Sequence, residues 1–182
     1  YDLPALPLAE TLYGKVLEAG RHPVQRLLQT PGMEMQYYEK GDNRQLTYIT
    51  PGEETFYQHL NGSIVLLAPE SITHLSHIDP ATIAKPLKAR KYLRDILDRR
   101  EETGEFSWTL AVYPTQALAE HAGMSIDVYA DQVIKACFLN RQKPIELWET
   151  IFRKARAIKK WLNRLPVQKL HIESENTDLE IT

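Results

Sequence analysis

The run His74-Leu75-Ser76-His77-Ile78-Asp79 sets two imidazoles three residues apart with a carboxylate close behind. Zinc held by three protein ligands keeps a fourth position open for water or substrate, so this trio has the makings of a hydrolytic metal centre. Its spacing suits one face of a helix, but Pro80 follows at once and makes a helix there doubtful. Asp79 also has a competing duty, because an acid just before a proline is a natural N-cap for the helix that follows. The stronger reading is a solvated loop ahead of a helix.

A second stretch, WTLAVYPTQALAEHAGMS (Trp108–Ser125), raises a different chemistry. It reads as a strand delivering residues at its tip, and the carboxyl ends of strands are where open α/β sheets bind ligands. Each polar group nevertheless has a structural task. Pro114 ends the strand because it cannot donate to a ladder. Thr115 caps a short helix, Gly123 supplies a left-handed turn, and Ser125 caps the next helix. Tyr113 and His121 are left without an assigned partner.

Other candidates are weaker. Cys137, the single cysteine, sits in VIKACFL and reads as a buried inert thiol rather than a nucleophile. Arg153, Lys154, Arg156, Lys159, Lys160 and Arg164 form a basic stripe that phosphates could follow. Beside it Ile151, Phe152, Ala155, Ile158, Trp161 and Leu162 form the apolar face of an ordinary amphipathic helix. The pairs Glu53-Glu54 and Glu101-Glu102 are adjacent, so on a helix they diverge. No glycine-rich phosphate cradle and no GxSxG elbow occurs. These residues alone build no catalytic site, so no catalytic, cofactor-binding or metal residue is assigned.

The elements that must hold these residues alternate. Ala5–Ala19 is a helix capped by Gly20, and Pro23–Leu28 reads as a strand. Residues 33–61 are ambiguous, a hairpin or an irregular helix and loop, ending in a short helix Glu53–Leu60. Ser63–Ala68 is a continuous apolar strand of the buried parallel type. A helix from Asp79-Pro80 to about Glu102 must kink or divide at Pro86. Phe106–Tyr113 is a strand, and Gln116–Ala122, Ile126–Leu139 and Pro144–Leu165 are helices. Val167–Glu173 and Thr177–Thr182 are strands with no helix between them, which suits an antiparallel hairpin. The expectation is an α/β fold: a largely parallel twisted sheet with helices on both faces, in three layers.

Bulk properties narrow the classes. The 182 residues suffice for a domain with a sizeable core. A formal net charge of −2 with 25% charged residues gives no sign of a nucleic-acid partner. The longest apolar runs are far too short to span a bilayer. One cysteine permits no internal disulfide and points to a reducing, cytoplasmic compartment. Both ends read as cut from something longer: the chain opens Tyr-Asp-Leu-Pro directly before a helix and stops within a β-like run.

The segment FSWTLAVYPTQALAEHAGMSIDVYADQVIKACFLNRQKPIELW resembles the middle of the thermophilic-type metallo-aminopeptidases, the family of aminopeptidase T and aminopeptidase S. The resemblance rests on Trp108, Pro114-Thr115, Ala117, Ala119, Met124-Ser125, Tyr129, Ala136, Pro144 and Trp148. It extends to Asn176-Thr177-Asp178-Leu179, to Ile78–Gly104, and to PLAETLYGKVLEAGRHPVQRL near the start. It is loose between Met33 and Asn61. It implies the N-terminal α/β domain of a two-domain hydrolase, residues 1–166, with 167–182 leading toward a C-terminal catalytic domain that carries the metal ligands. It further implies paired divalent ions (zinc, cobalt or magnesium) in the parent enzyme and none in this piece. The implied partners are a peptide substrate, the catalytic domain and a second copy in a homodimer, with no nucleic acid and no membrane. The implied reaction is removal of N-terminal amino acids from peptides, with this piece inactive alone and serving as scaffold, cavity wall or dimer support. A non-catalytic interaction module and a small-ligand-binding α/β domain are the competing expectations.

Overall fold

The structure, a computed structural model, describes residues 1–181. The chain divides into two compact units, Tyr1–Val133 and Ile134–Thr182.

In the first unit a 3-10 turn at Leu3–Ala5 leads into α1, Leu6–Glu18. Gly20 follows at φ +68°, the left-handed turn expected after this helix. The ambiguous region is helical: α2 spans Pro31–Lys40, α3 Asn43–Leu46 and α4 Glu53–His59. Local chemistry explains each start. Thr30 caps α2 with Pro31 at its first position. Asp42 and Gln45 exchange side-chain bonds with each other's backbone in a capping box on α3. Gly52, at φ +85°, turns the chain into α4.

β1 (Gly62–Leu67) and β2 (Ser107–Val112) pair in parallel, from Gly62 opposite Ser107 to Leu67 opposite Val112. Between them run α5 (Pro80–Ala89) and α6 (Lys91–Glu102). The single long helix expected there is divided as foreseen, but at Arg90 rather than at Pro86. Pro86 lies buried within α5, and Arg90 leaves the helical region one turn later, with φ −93° and ψ 1°. Past β2 come α7 (Gln116–His121) and α8 (Ile126–Ala136), which crosses the division between the units.

The core at the sheet is Ala5, Leu66 and Ala68, packed about by Leu8, Ala9, Leu12, Ala111 and Tyr113. Leu66 and Ala111 stand opposite each other and so share a sheet face, the face that α1 covers. Away from it Leu46, Leu93, Leu97 and Phe106 are buried, with α3 on α5 and α4 on α6. A side chain such as Leu93, 1% exposed, contributes about 1.5–3 kcal/mol by its burial.

In the second unit α8 stops at Ala136 rather than Leu139, because Phe138 takes φ +59° and reverses the chain. α9 spans Pro144–Leu162. Trp148 stacks on Phe152, meets Phe138 edge-on at 5.4 Å, and its Nε1–H donates to the Cys137 carbonyl at 3.2 Å. β3 (Leu170–Ser174) and β4 (Thr177–Ile181) form the antiparallel hairpin. Leu170, Ile172, Leu179 and Ile181 share one face of it. His171, Glu173, Asp178 and Glu180 share the other. Thr182, expected to end the last strand, lies outside the described residues.

Three further expectations change. Pro23–Leu28 is extended but not a strand, since among the described residues its only ladder bonds run to Tyr1. Cys137 is half-buried rather than buried, because its helix ends beside it. The described strands form two separate two-stranded sheets, one parallel and one antiparallel, rather than one larger parallel sheet. The mixture of helices with a parallel strand pair is that of an α/β chain.

Candidate functional site

The carboxyl ends of β1 and β2 are joined by one side chain. The Thr115 hydroxyl donates to the Pro69 carbonyl at 2.8 Å and accepts from Leu118 N–H at 3.4 Å. Thr115 is 8% exposed, a buried polar residue with both capacities of its hydroxyl used. It therefore caps α7, as the sequence predicts, and also ties the loop after β1 to the loop after β2. Ser125 accepts from Val128 N–H at 3.4 Å as the cap of α8, and Gly123 sits at φ +66°. Tyr113 packs against the Leu66–Ala68 core, and His121 is exposed at the end of α7.

A small cavity of about 70 Å³ adjoins this corner, lined by Asp2, Thr30, Glu34, Pro69, Ser71 and His74 among others. Its polar groups are largely engaged. Asp2 Oδ2 accepts from Ala68 N–H at 2.6 Å. Glu34, in the first turn of α2, meets His74 Nε2 at 2.7 Å. His74 Nδ1 is buried and has no hydrogen-bond partner.

The trio His74, His77 and Asp79 is not brought together. His74 pairs with Glu34, and His77 Nε2 pairs with Glu39 at 3.0 Å, so each imidazole takes its own carboxylate on α2. Asp79 accepts from Ala81 N–H at 2.9 Å as the N-cap of α5. The segment is thus stitched to α2 by two histidine–carboxylate contacts. Sequence reasoning missed Glu34 and Glu39. The available signal was Thr30-Pro31 with an acid three residues on, a helix start that would have placed both on one helix. Among the described residues no three His, Cys, Asp or Glu side chains are grouped so as to hold a metal ion.

One phenol here is perturbed. Tyr38, on α2, has its pKa raised from 10.0, first by burial, then by the charge of Glu34 and by Tyr37, against a smaller opposing effect of Arg90.

The remaining charged candidates are spent on surface contacts. Glu53 lies 3.9 Å from Arg90, Glu54 accepts from Gln58, and Glu101 accepts from the Trp108 indole at 3.1 Å. A shallow groove of about 450 Å³ between α4 and α6 holds Glu54, Asp95, Asp98 and Glu102. Asp95 and Asp98 there pair with Lys91 and Arg94 one turn back on their own helix. The basic residues of α9 are exposed. No helix among the described residues is long and apolar enough to cross a membrane.

The corner can position backbone and hold polar groups; it presents no nucleophile paired with a base. Comparison with known proteins supplies what geometry leaves open. No curated protein matches the chain. The family described as thermophilic metalloprotease (M29) matches residues 1–182. The match spans the aromatic strand β2, the Pro114-Thr115 corner and the Asn176-Thr177-Asp178-Leu179 turn on which the resemblance rested, and the chain belongs to the M29 thermophilic metalloprotease family.

Proposed function

We propose that this chain is the N-terminal α/β domain of a metal-dependent aminopeptidase that removes N-terminal amino acids from peptides. In this reading residues 1–166 form the domain and residues 167–182 lead toward a catalytic domain. The enzyme works in the cytoplasm as a homodimer. The observation that carries the reading is the family match along all 182 residues.

Metallopeptidases of this kind use a divalent ion to activate water and polarise the scissile carbonyl. The described residues of this chain do not fit such an ion, since they bring no three suitable side chains together. No catalytic step is therefore assigned to them. Their part is to hold the catalytic domain, to wall the substrate cavity or to support the dimer. Uncovered apolar surface supports that role. Ile158 is 56% exposed and Trp161 59% exposed on α9, and Leu170, Ile172, Leu179 and Ile181 on the hairpin are each more than 40% exposed. Apolar patches of this kind mark surfaces meant for a partner.

The test is hydrolysis of short unblocked peptides by this chain with cobalt or zinc added. No release of N-terminal amino acids is expected. Hydrolysis abolished by a chelator would overturn the assignment of the catalytic centre to another domain.

A further inference from the structure

Between Thr150 and Gln168 the chain holds six Lys or Arg and no Asp or Glu. The formal net charge of −2 for the whole chain averages this segment away. Arg153, Lys154, Arg156, Lys159 and Lys160 lie on α9, and Arg164 follows in the turn after its Asn163 C-cap. All six are exposed. None forms an ion pair with a carboxylate among the described residues. Arg153 donates to the Thr150 hydroxyl at 3.3 Å, a neutral partner. The helix dipole favours cations only in the last turn, where Lys159 and Lys160 stand. Arg153 and Arg156 lie further back and owe nothing to it.

Helical geometry sorts these cations. Arg153, Arg156 and Lys160 fall in one row along α9, at i, i+3 and i+7. The row is about 10 Å long, at about 1.5 Å per residue. Ile151, Ala155, Ile158 and Leu162 occupy the opposite side of the helix. Lys154 and Lys159 stand between the two sides, one on each flank. Phe152, the aromatic nearest the row, stacks on Trp148 instead. Glu149, one turn before Arg153, closes the row at its N-terminal end.

We propose that the row Arg153, Arg156 and Lys160 is a binding surface for the phosphate backbone of duplex DNA, used without regard to base sequence. Cations that meet phosphates release the counterions condensed on the duplex, and this release drives sequence-independent binding. About 10 Å of duplex axis presents about six phosphate charges, enough for every cation of the row. The two arginines add planar forks that match phosphate oxygens. Two other anionic partners fit less well. A helix seated on an anionic membrane sinks its apolar side, which would turn this row away from the lipid. A single strand is held by aromatic side chains on which its bases stack, and the row offers none. The row stays available however the apolar side of α9 is covered, so the proposal does not depend on the peptidase reading.

The experiment titrates the 182-residue chain into a fluorescent DNA duplex of random sequence and reads anisotropy as salt is raised. Three phosphate contacts give a log–log slope of about −2.7, so affinity falls on the order of 500-fold between about 20 and about 200 mM salt. Arg153→Gln and Lys160→Gln each make the slope shallower by about one. Lys88→Gln, at an exposed cation of α5, leaves it unchanged. Glu149→Gln strengthens binding by removing the acid beside the row. Gln is a good helix former, and circular dichroism verifies that each variant is folded. No binding to the duplex at the lowest salt would overturn the proposal, whether or not anionic vesicles bind. So would a slope unchanged in the row variants, or a single strand of equal length bound as tightly as the duplex.

Discussion

Asp2 Oδ2 lies 2.6 Å from the Ala68 backbone nitrogen, sixty-six positions away in sequence. The contact is partly buried and closes the end of β1 against the N-terminal residues. Asp2→Ala leaves the Ala68 N–H without an acceptor, which costs about 1–3 kcal/mol. Asp2→Asn keeps an acceptor oxygen and costs less. Urea unfolding of the two variants checks the order, and equal losses would mean the carboxylate acts by charge rather than as an acceptor.

Thr115→Val removes both bonds of a buried hydroxyl, the one to Pro69 O and the cap on α7. The expected loss is about 1–2 kcal/mol, with Thr115→Ser retaining most of the stability because the hydroxyl is kept. Thermal denaturation of the pair measures it.

The two units respond differently to apolar truncation. Leu93→Ala, at a site 1% exposed, costs about 2–5 kcal/mol. Ile172→Ser on the hairpin, at a site 43% exposed, changes stability by about 0.5 kcal/mol or less in this chain. If the hairpin face meets a catalytic domain, the same Ile172→Ser change lowers the stability of the whole enzyme. An equal effect in the two contexts would count against that contact.

Tyr38 sets an alkaline limit. Its pKa in the folded chain is raised above the ordinary 10.0, mainly because burial disfavours the phenolate. The folded chain then keeps a proton that the unfolded chain has released, so stability falls as pH rises past 10.0. Tyr38→Phe removes that contribution and flattens the alkaline arm of a stability–pH profile. An unchanged slope in the variant would show that Tyr38 does not carry it.

The local elements were legible in the sequence because their causes are local. Asp79-Pro80 starts α5, Pro114 ends β2, Thr115 and Ser125 cap the helices that follow, and Gly20 and Gly123 take left-handed turns. Each is settled within a few residues by a missing N–H, a capping oxygen or the lack of a Cβ. The family too was legible, since it rests on residue types at fixed spacing. Pairing was not. Segment 23–28 has strand character, yet its ladder depends on what lies beside it, and among the described residues its backbone pairs with Tyr1 alone. The fates of His74 and His77 were equally out of reach, because the choice between a shared ion and separate carboxylates depends on α2, some forty positions upstream. Caps and turns follow from the chain's own neighbours; which edge is paired and which imidazole meets which acid is decided only when distant segments are packed together.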